Sequence, residues 1–113
     1  MIFKIVGRDA WASACQEGIY RGSPDDLRDG FIHFSAPAQL RGTAAKHFHG
    51  QADLVLVAFD EKLFGNALLW EPSRGGDLFP HLYGTVSTKV AIWEKPLPLG
   101  ADGVPQIPED IAP

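Results

Sequence analysis

The apolar positions of this chain fall into short runs parted by polar and glycine-rich stretches, and their spacing changes along its length. Ile2, Phe3, Ile5 and Val6 form a β-like run that Gly7 ends. Trp11, Ala14 and Cys15 then recur at helical spacing. They predict a helix over residues 9–17, with Asp9 as its N-cap and Gly18 closing it in the left-handed conformation. Trp11 reads as a core anchor and Cys15 as a buried free thiol. Residues 19–30 read as a loop in which Arg21 and Arg28 are mobile cations. In residues 31–35, alternation puts Ile32 and Phe34 on one face of a strand and Phe31, His33 and Ser35 on the other. Ser35 precedes Ala36-Pro37, a helix-opening pair, and reads as the N-cap of a helix over residues 36–48. Leu40, Ala44 and Phe48 share one face of that helix.

The unbroken apolar run from Leu54 to Phe59 predicts a central strand buried on both faces. A turn or short helical segment over residues 60–66 follows, then a strand over 67–71 ended by Pro72 and a flexible loop over 73–77. Residues 86–94 read as the last strand. Five of the nine prolines lie at or beyond Pro96. The chain therefore divides into a domain over 1–95 and a Pro-rich tail over 96–113, packed along the domain or partly disordered. Strand, helix, strand, helix and then several strands make an α+β fold with a mostly antiparallel sheet and both helices in the N-terminal half.

Length and charge narrow the function. A chain of 113 residues supports one domain with one modest core. The formal net charge is −4 and no Lys/Arg run occurs, so nucleic acid is not an expected partner. The single Cys15 excludes an internal disulfide. No apolar run approaches the roughly 20 residues that cross a bilayer, and the first residues lack the pattern of a signal peptide. The expected location is the cytoplasm, with no membrane partner.

The sequence carries no P-loop, HExxH or GxSxG pattern. What stands out is polar residues set in apolar strands. His33 is a satisfied core histidine or a group that holds a ligand hydroxyl, with Ser35 beside it. Glu71 closes the run Ala67-Leu68-Leu69-Trp70. It is a solvated strand end, a neutral acid in a low dielectric, or a charged group facing a developing cation. His81 and Tyr83 lie two apart and form either an aromatic plug or one wall of a pocket. His47 and His49 also lie two apart, but at a helix end where cationic side chains suit the dipole, and no metal site is assigned to them.

The segments Gly30-Phe31-Ile32-His33-Phe34-Ser35, Trp70-Glu71 and Phe79-Pro80-His81-Leu82-Tyr83-Gly84 together resemble the bacterial domain-of-unknown-function family 952. With the opening strand and Trp11, the resemblance extends to about Trp93. It implies a fold similar to that of ADP-ribosyltransferases, whose split antiparallel sheet binds NAD in a cleft. In such enzymes a first-strand histidine holds a ribose, an aromatic ring stacks on nicotinamide and a late-strand glutamate stabilises the ribosyl cation or orients the nucleophile. The resemblance implies Glu71 for the glutamate and Tyr83 for the stacking ring. His33 would stand in for the histidine, because the first strand carries Lys4. Two functions follow. One is an enzyme that transfers or hydrolyses the ribosyl group of NAD or a related nucleotide, with Glu71 and His33 catalytic, Ser35, His81 and Tyr83 binding ligand, and Arg21 meeting the diphosphate. The other is a non-catalytic module that holds a nucleotide-like or anionic molecule in the same cleft, and Lys4 favours it. NAD enters as substrate, and no prosthetic group is expected.

Overall fold

One strand organises two cores, where the chain length predicts one: each face of β4 is covered by its own set of apolar residues. The computed structural model describes residues 1–113, the Arg74 side chain excepted. Strand β4 (Leu54–Phe59) lies between β1 (Ile2–Gly7) and β8 (Trp93–Leu97), antiparallel to both, and all six of its residues are buried. Because side chains alternate along a strand, Val55, Val57 and Phe59 enter one core and Leu54, Leu56 and Ala58 enter the other. The first core gathers Ile2, Trp11, Tyr20, Ile32, Phe34 and Leu82. The second gathers Phe3, Ile5, Leu40, Ala44 and Leu97. The unbroken apolar run is thus two alternating sets of core residues.

A second sheet has the order β3-β6-β5, formed by Ile32–His33, Leu78–Leu82 and Leu68–Pro72. Among the described residues, it meets the first through one bridge. Phe3 and Ser35 exchange both backbone hydrogen bonds at 2.9 Å. A short ribbon pairs β2 (Ile19–Tyr20) with β7 (Val86–Ser87). Every pairing is antiparallel, and the domain is α+β. Helix α1 (Arg8–Glu17) follows β1 directly, and Gly18 closes it with φ 89°. Helix α2 spans Pro24–Asp29, and α3 (Leu40–His47) continues a 3₁₀ turn over Pro37–Gln39. Among the described residues, no helix is long and apolar enough to cross a membrane.

Several expectations change. Residues 19–30 are not a loop: they hold β2 and α2. Asp9 does not cap α1; Gly7 stands at that position and Asp9 lies in the first turn. Cys15 is exposed, because the buried stripe of this short helix is only Trp11 and Ala14. Ser35 caps no helix either. Gln39 folds back instead, and its Oε1 accepts from the Ala36 N–H at 2.9 Å. The expected strand over 86–94 is broken by a 3₁₀ turn at Thr88–Val90. The chain turns there because β7 belongs to the ribbon and β8 to the first sheet. Strand β8 runs across residues 95/96, and of the two expectations for the tail it is packing along the domain that its described residues follow, with Ile107 and Ile111 buried in the second core.

Leu56 is fully buried at the centre of β4. Leu56→Ala therefore costs about 2–5 kcal/mol of stability in urea unfolding. A loss well under about 1 kcal/mol would place β4 at an edge rather than a centre.

Candidate functional site

The site grows from a local signal in residues 23–26. Ser23 has extended backbone, Pro24 opens α2, and Asp26 stands three residues after the cap. Ser23 Oγ accepts from the Asp26 N–H at 3.2 Å, and Asp26 Oδ2 accepts from the Ser23 N–H at 2.8 Å. This capping box fixes the Asp26 carboxylate, which is 2% exposed. Gly22, at φ +114°, packs so closely that a Cβ there would lie 2.8 Å from Asp26 Cβ.

The same carboxylate then gathers β1 and β3. Lys4 Nζ lies 3.1 Å from Oδ1 and 2.9 Å from Oδ2, and it also donates to the His33 carbonyl at 2.9 Å. Asp26 Oδ1 accepts from the His33 N–H at 3.2 Å and lies 2.6 Å from His33 Nδ1. Burial pushes the Asp26 carboxyl up, but the His33 hydrogen bond and the Lys4 charge outweigh it and hold it well below the usual carboxylate range. Burial pushes the Lys4 ammonium down, and Asp26 offsets part of that. The far side of the His33 ring meets Asp29, with Nε2 3.1 Å from Oδ2.

A second carboxylate–imidazole pair lies on the neighbouring strands. Registers His33↔His81 and Leu69↔His81 set the three side chains on one face, and Glu71 follows Leu69 on that face. His81 Nδ1 lies 2.9 Å from Glu71 Oε1, and the Tyr83 hydroxyl donates to the same oxygen at 2.7 Å. Those two bonds, Tyr83 first, hold the Glu71 carboxyl below its usual range and so favour the anion. Of the three readings of Glu71, these bonds favour the charged one. The Tyr83 phenol is pushed up in return. Phe31 stacks on His81 at 4.1 Å and 26°, and the His33 and His81 rings meet edge to face at 5.3 Å.

These groups border a cleft of about 320 Å³. His33, His81 and Ser35 line it, together with Lys4, Asp25, Asp26, Asp29 and Arg28. Ser35 Oγ lies 3.1 Å from Thr43 Oγ1, and His47 lines the same end. Glu71 and Tyr83 join the cluster through His81 rather than through the cleft wall. Arg21 is not brought in: it pairs with Glu17 on the exposed end of α1 and does not line the cleft. Arg28 does line it, paired with Asp25 and Asp29 at 3.2 Å. Among the described residues, no group of three or more His, Cys, Asp or Glu side chains is set to hold a metal ion. Sequence reasoning missed Asp26, Asp29 and the packing role of Phe31. The Ser23-Pro24-Asp25-Asp26 string was the available signal for Asp26, since it spells a capping box.

Removing one partner of a buried pair leaves an uncompensated charge, so Asp26→Ala costs about 3–5 kcal/mol at neutral pH in urea unfolding. Adding Lys4→Met to it recovers part of that loss. A cost under about 1 kcal/mol would show that the pair braces nothing. The sign of the pH effect follows from the depressed carboxyl. In acid the unfolded chain binds the proton first, so this stabilisation is complete above the ordinary carboxylate range, about pH 4, and is lost as pH falls below it. Asp26→Asn flattens that acid limb.

Solved structures of one protein share this architecture. The crystal structure of CC0527 from Caulobacter crescentus is 48% identical, with 97% of this chain and 96% of that chain covered and a TM-score of 0.94. The solution structure of CC0527 is 50% identical over 93% of this chain and 90% of that one, with a TM-score of 0.85. No curated protein matches. The family model described as "Protein of unknown function (DUF952)" matches residues 5–94, most of the chain and the cluster just described apart from Lys4. The chain belongs to the DUF952 family.

Proposed function

We propose that this domain binds the ribosyl end of an NAD-type nucleotide in the cytoplasm and breaks its bond to the base with the help of Glu71. The fold is read as ADP-ribosyltransferase-like, with the ligand entering the cleft beside the Phe3–Ser35 bridge and its ribosyl end reaching past His81 to Glu71, which stands just outside the cleft wall. The observation that carries the reading is the open half of Glu71. Tyr83 and His81 both bond Oε1, and Oε2 has no hydrogen-bond partner among the described residues. An anchored carboxylate with one free oxygen suits a reaction that builds positive charge on a ribose. His33, held by Asp26, offers its Nε2 to a ribose hydroxyl where Asp29 now sits. Lys4 and Arg28 are both paired with aspartates, so recognition rests on the ribosyl end rather than on a diphosphate.

A second reading, a binding module without catalysis, is favoured by Lys4. Its ammonium takes the first-strand place of a ribose-holding histidine, yet it is committed to Asp26 and the His33 carbonyl.

Calorimetry with NAD and assay of released nicotinamide separate the two. The wild type binds and cleaves, Glu71→Gln loses about a hundred- to a thousandfold in rate, and His33→Ala mainly weakens binding. Binding without cleavage selects the module. Neither binding nor cleavage at millimolar NAD ends the nucleotide reading, and cleavage unaffected by Glu71→Gln removes the glutamate from its role.

A further inference from the structure

We infer that His81 is the general base of this site, so that its chemistry is hydrolysis, with water as the acceptor of the ribosyl group. This rests on the reading of Glu71 given above. The two histidines of the cluster differ in one respect that decides their roles. His33 faces a carboxylate at each ring nitrogen, Asp26 at Nδ1 and Asp29 at Nε2. His81 faces a carboxylate at Nδ1 only, and its Nε2 has no hydrogen-bond partner among the described residues. Glu71 is an acceptor when ionised, so the Nδ1 it meets carries the hydrogen and Nε2 keeps its lone pair. The side chain is 6% exposed and stacked on Phe31, and His81 lines the cleft. A carboxylate-fixed imidazole with a bare nitrogen at a cleft is the arrangement that general-base catalysis needs.

The reaction balances without another reagent. The bond between ribose C1′ and the pyridinium nitrogen breaks, and its electron pair leaves with nicotinamide, which departs neutral and needs no acid. The oxygen of a water molecule bonds to C1′, and one of its protons passes to His81 Nε2 and then to solvent. Glu71 Oε2 faces the positive charge on the ribose, while Oε1 keeps the imidazole in the required tautomer. One carboxylate and one base are sufficient, and Glu71 and His81 supply them.

The test uses the whole chain in two measurements. Long-range ¹H–¹⁵N spectra of the wild type, without ligand, read the His81 tautomer. The expected form carries its proton on Nδ1, and a ring protonated on Nε2 overturns the assignment whether or not any variant folds. Nicotinamide release from NAD is then compared in wild type and His81→Gln, with folding checked by amide spectra. His81→Gln is expected to lose about a hundred- to ten-thousandfold in kcat, with the Kd for NAD changed by less than about threefold. Wild-type cleavage with His81→Gln within about threefold of it refutes the base and leaves the role of Glu71 standing. Absence of cleavage by the wild type refutes the parent reading and the base with it.

Discussion

The buried pair of Lys4 and Asp26 is the constraint on which the site depends. A charged ammonium on the first strand of a small domain is tolerable only with a fixed counter-charge and satisfied hydrogens. Asp26 supplies the charge and the His33 carbonyl takes a further hydrogen. Because Asp26 is itself set by the Ser23 capping box, one carboxylate ties α2 to β1 and β3 at the place where the two sheets meet. Such a pair adds little net stability compared with an apolar replacement, yet it is costly to break. Its consequence is geometric: the His33 ring is held at both backbone and side chain.

From that fixed ring the rest of the cluster follows by register. His81 stands opposite His33, Glu71 reaches His81 from the next strand, and Tyr83 closes on the same oxygen. Phe31 lies over His81 and contacts Tyr83 and His33 as well, so the polar groups are backed by an aromatic ring. Two imidazoles, each with a carboxylate at Nδ1, sit side by side in different surroundings. His33 is enclosed between two carboxylates, and His81 has one, at Nδ1.

Much of this is legible in the sequence where apolar periodicity carries the signal. The run Leu54–Phe59, the helix around Trp11 and Ala14 and the face of Leu40 and Ala44 follow from spacing alone. The two-residue alternation of His33 with Ser35 and of His81 with Tyr83 likewise puts each pair on one face. What spacing does not carry is polar local structure. Helix α2 has a mostly polar sequence, PDDLRD, and its one apolar residue, Leu27, is 66% exposed, so no hydrophobic pattern reveals it. Asp26 thus reads as one of several surface acids until the capping box is recognised. The pairing of Lys4 with Asp26 spans 22 residues, and no local rule reports such a contact. The tail is a similar case: its prolines leave packing along the domain and partial disorder both open, and only the contacts of Ile107 and Ile111 with the second core decide.

The claim that the ligand enters beside this aromatic–histidine cluster is tested most directly by titrating isotope-labelled protein with NAD and following backbone and side-chain shifts. The account predicts saturable shifts concentrated at Phe31, His33, Glu71, His81 and Tyr83, with the exposed face of α1 around Cys15 unmoved. Saturable shifts centred on that face of α1, with the cluster silent, would contradict it.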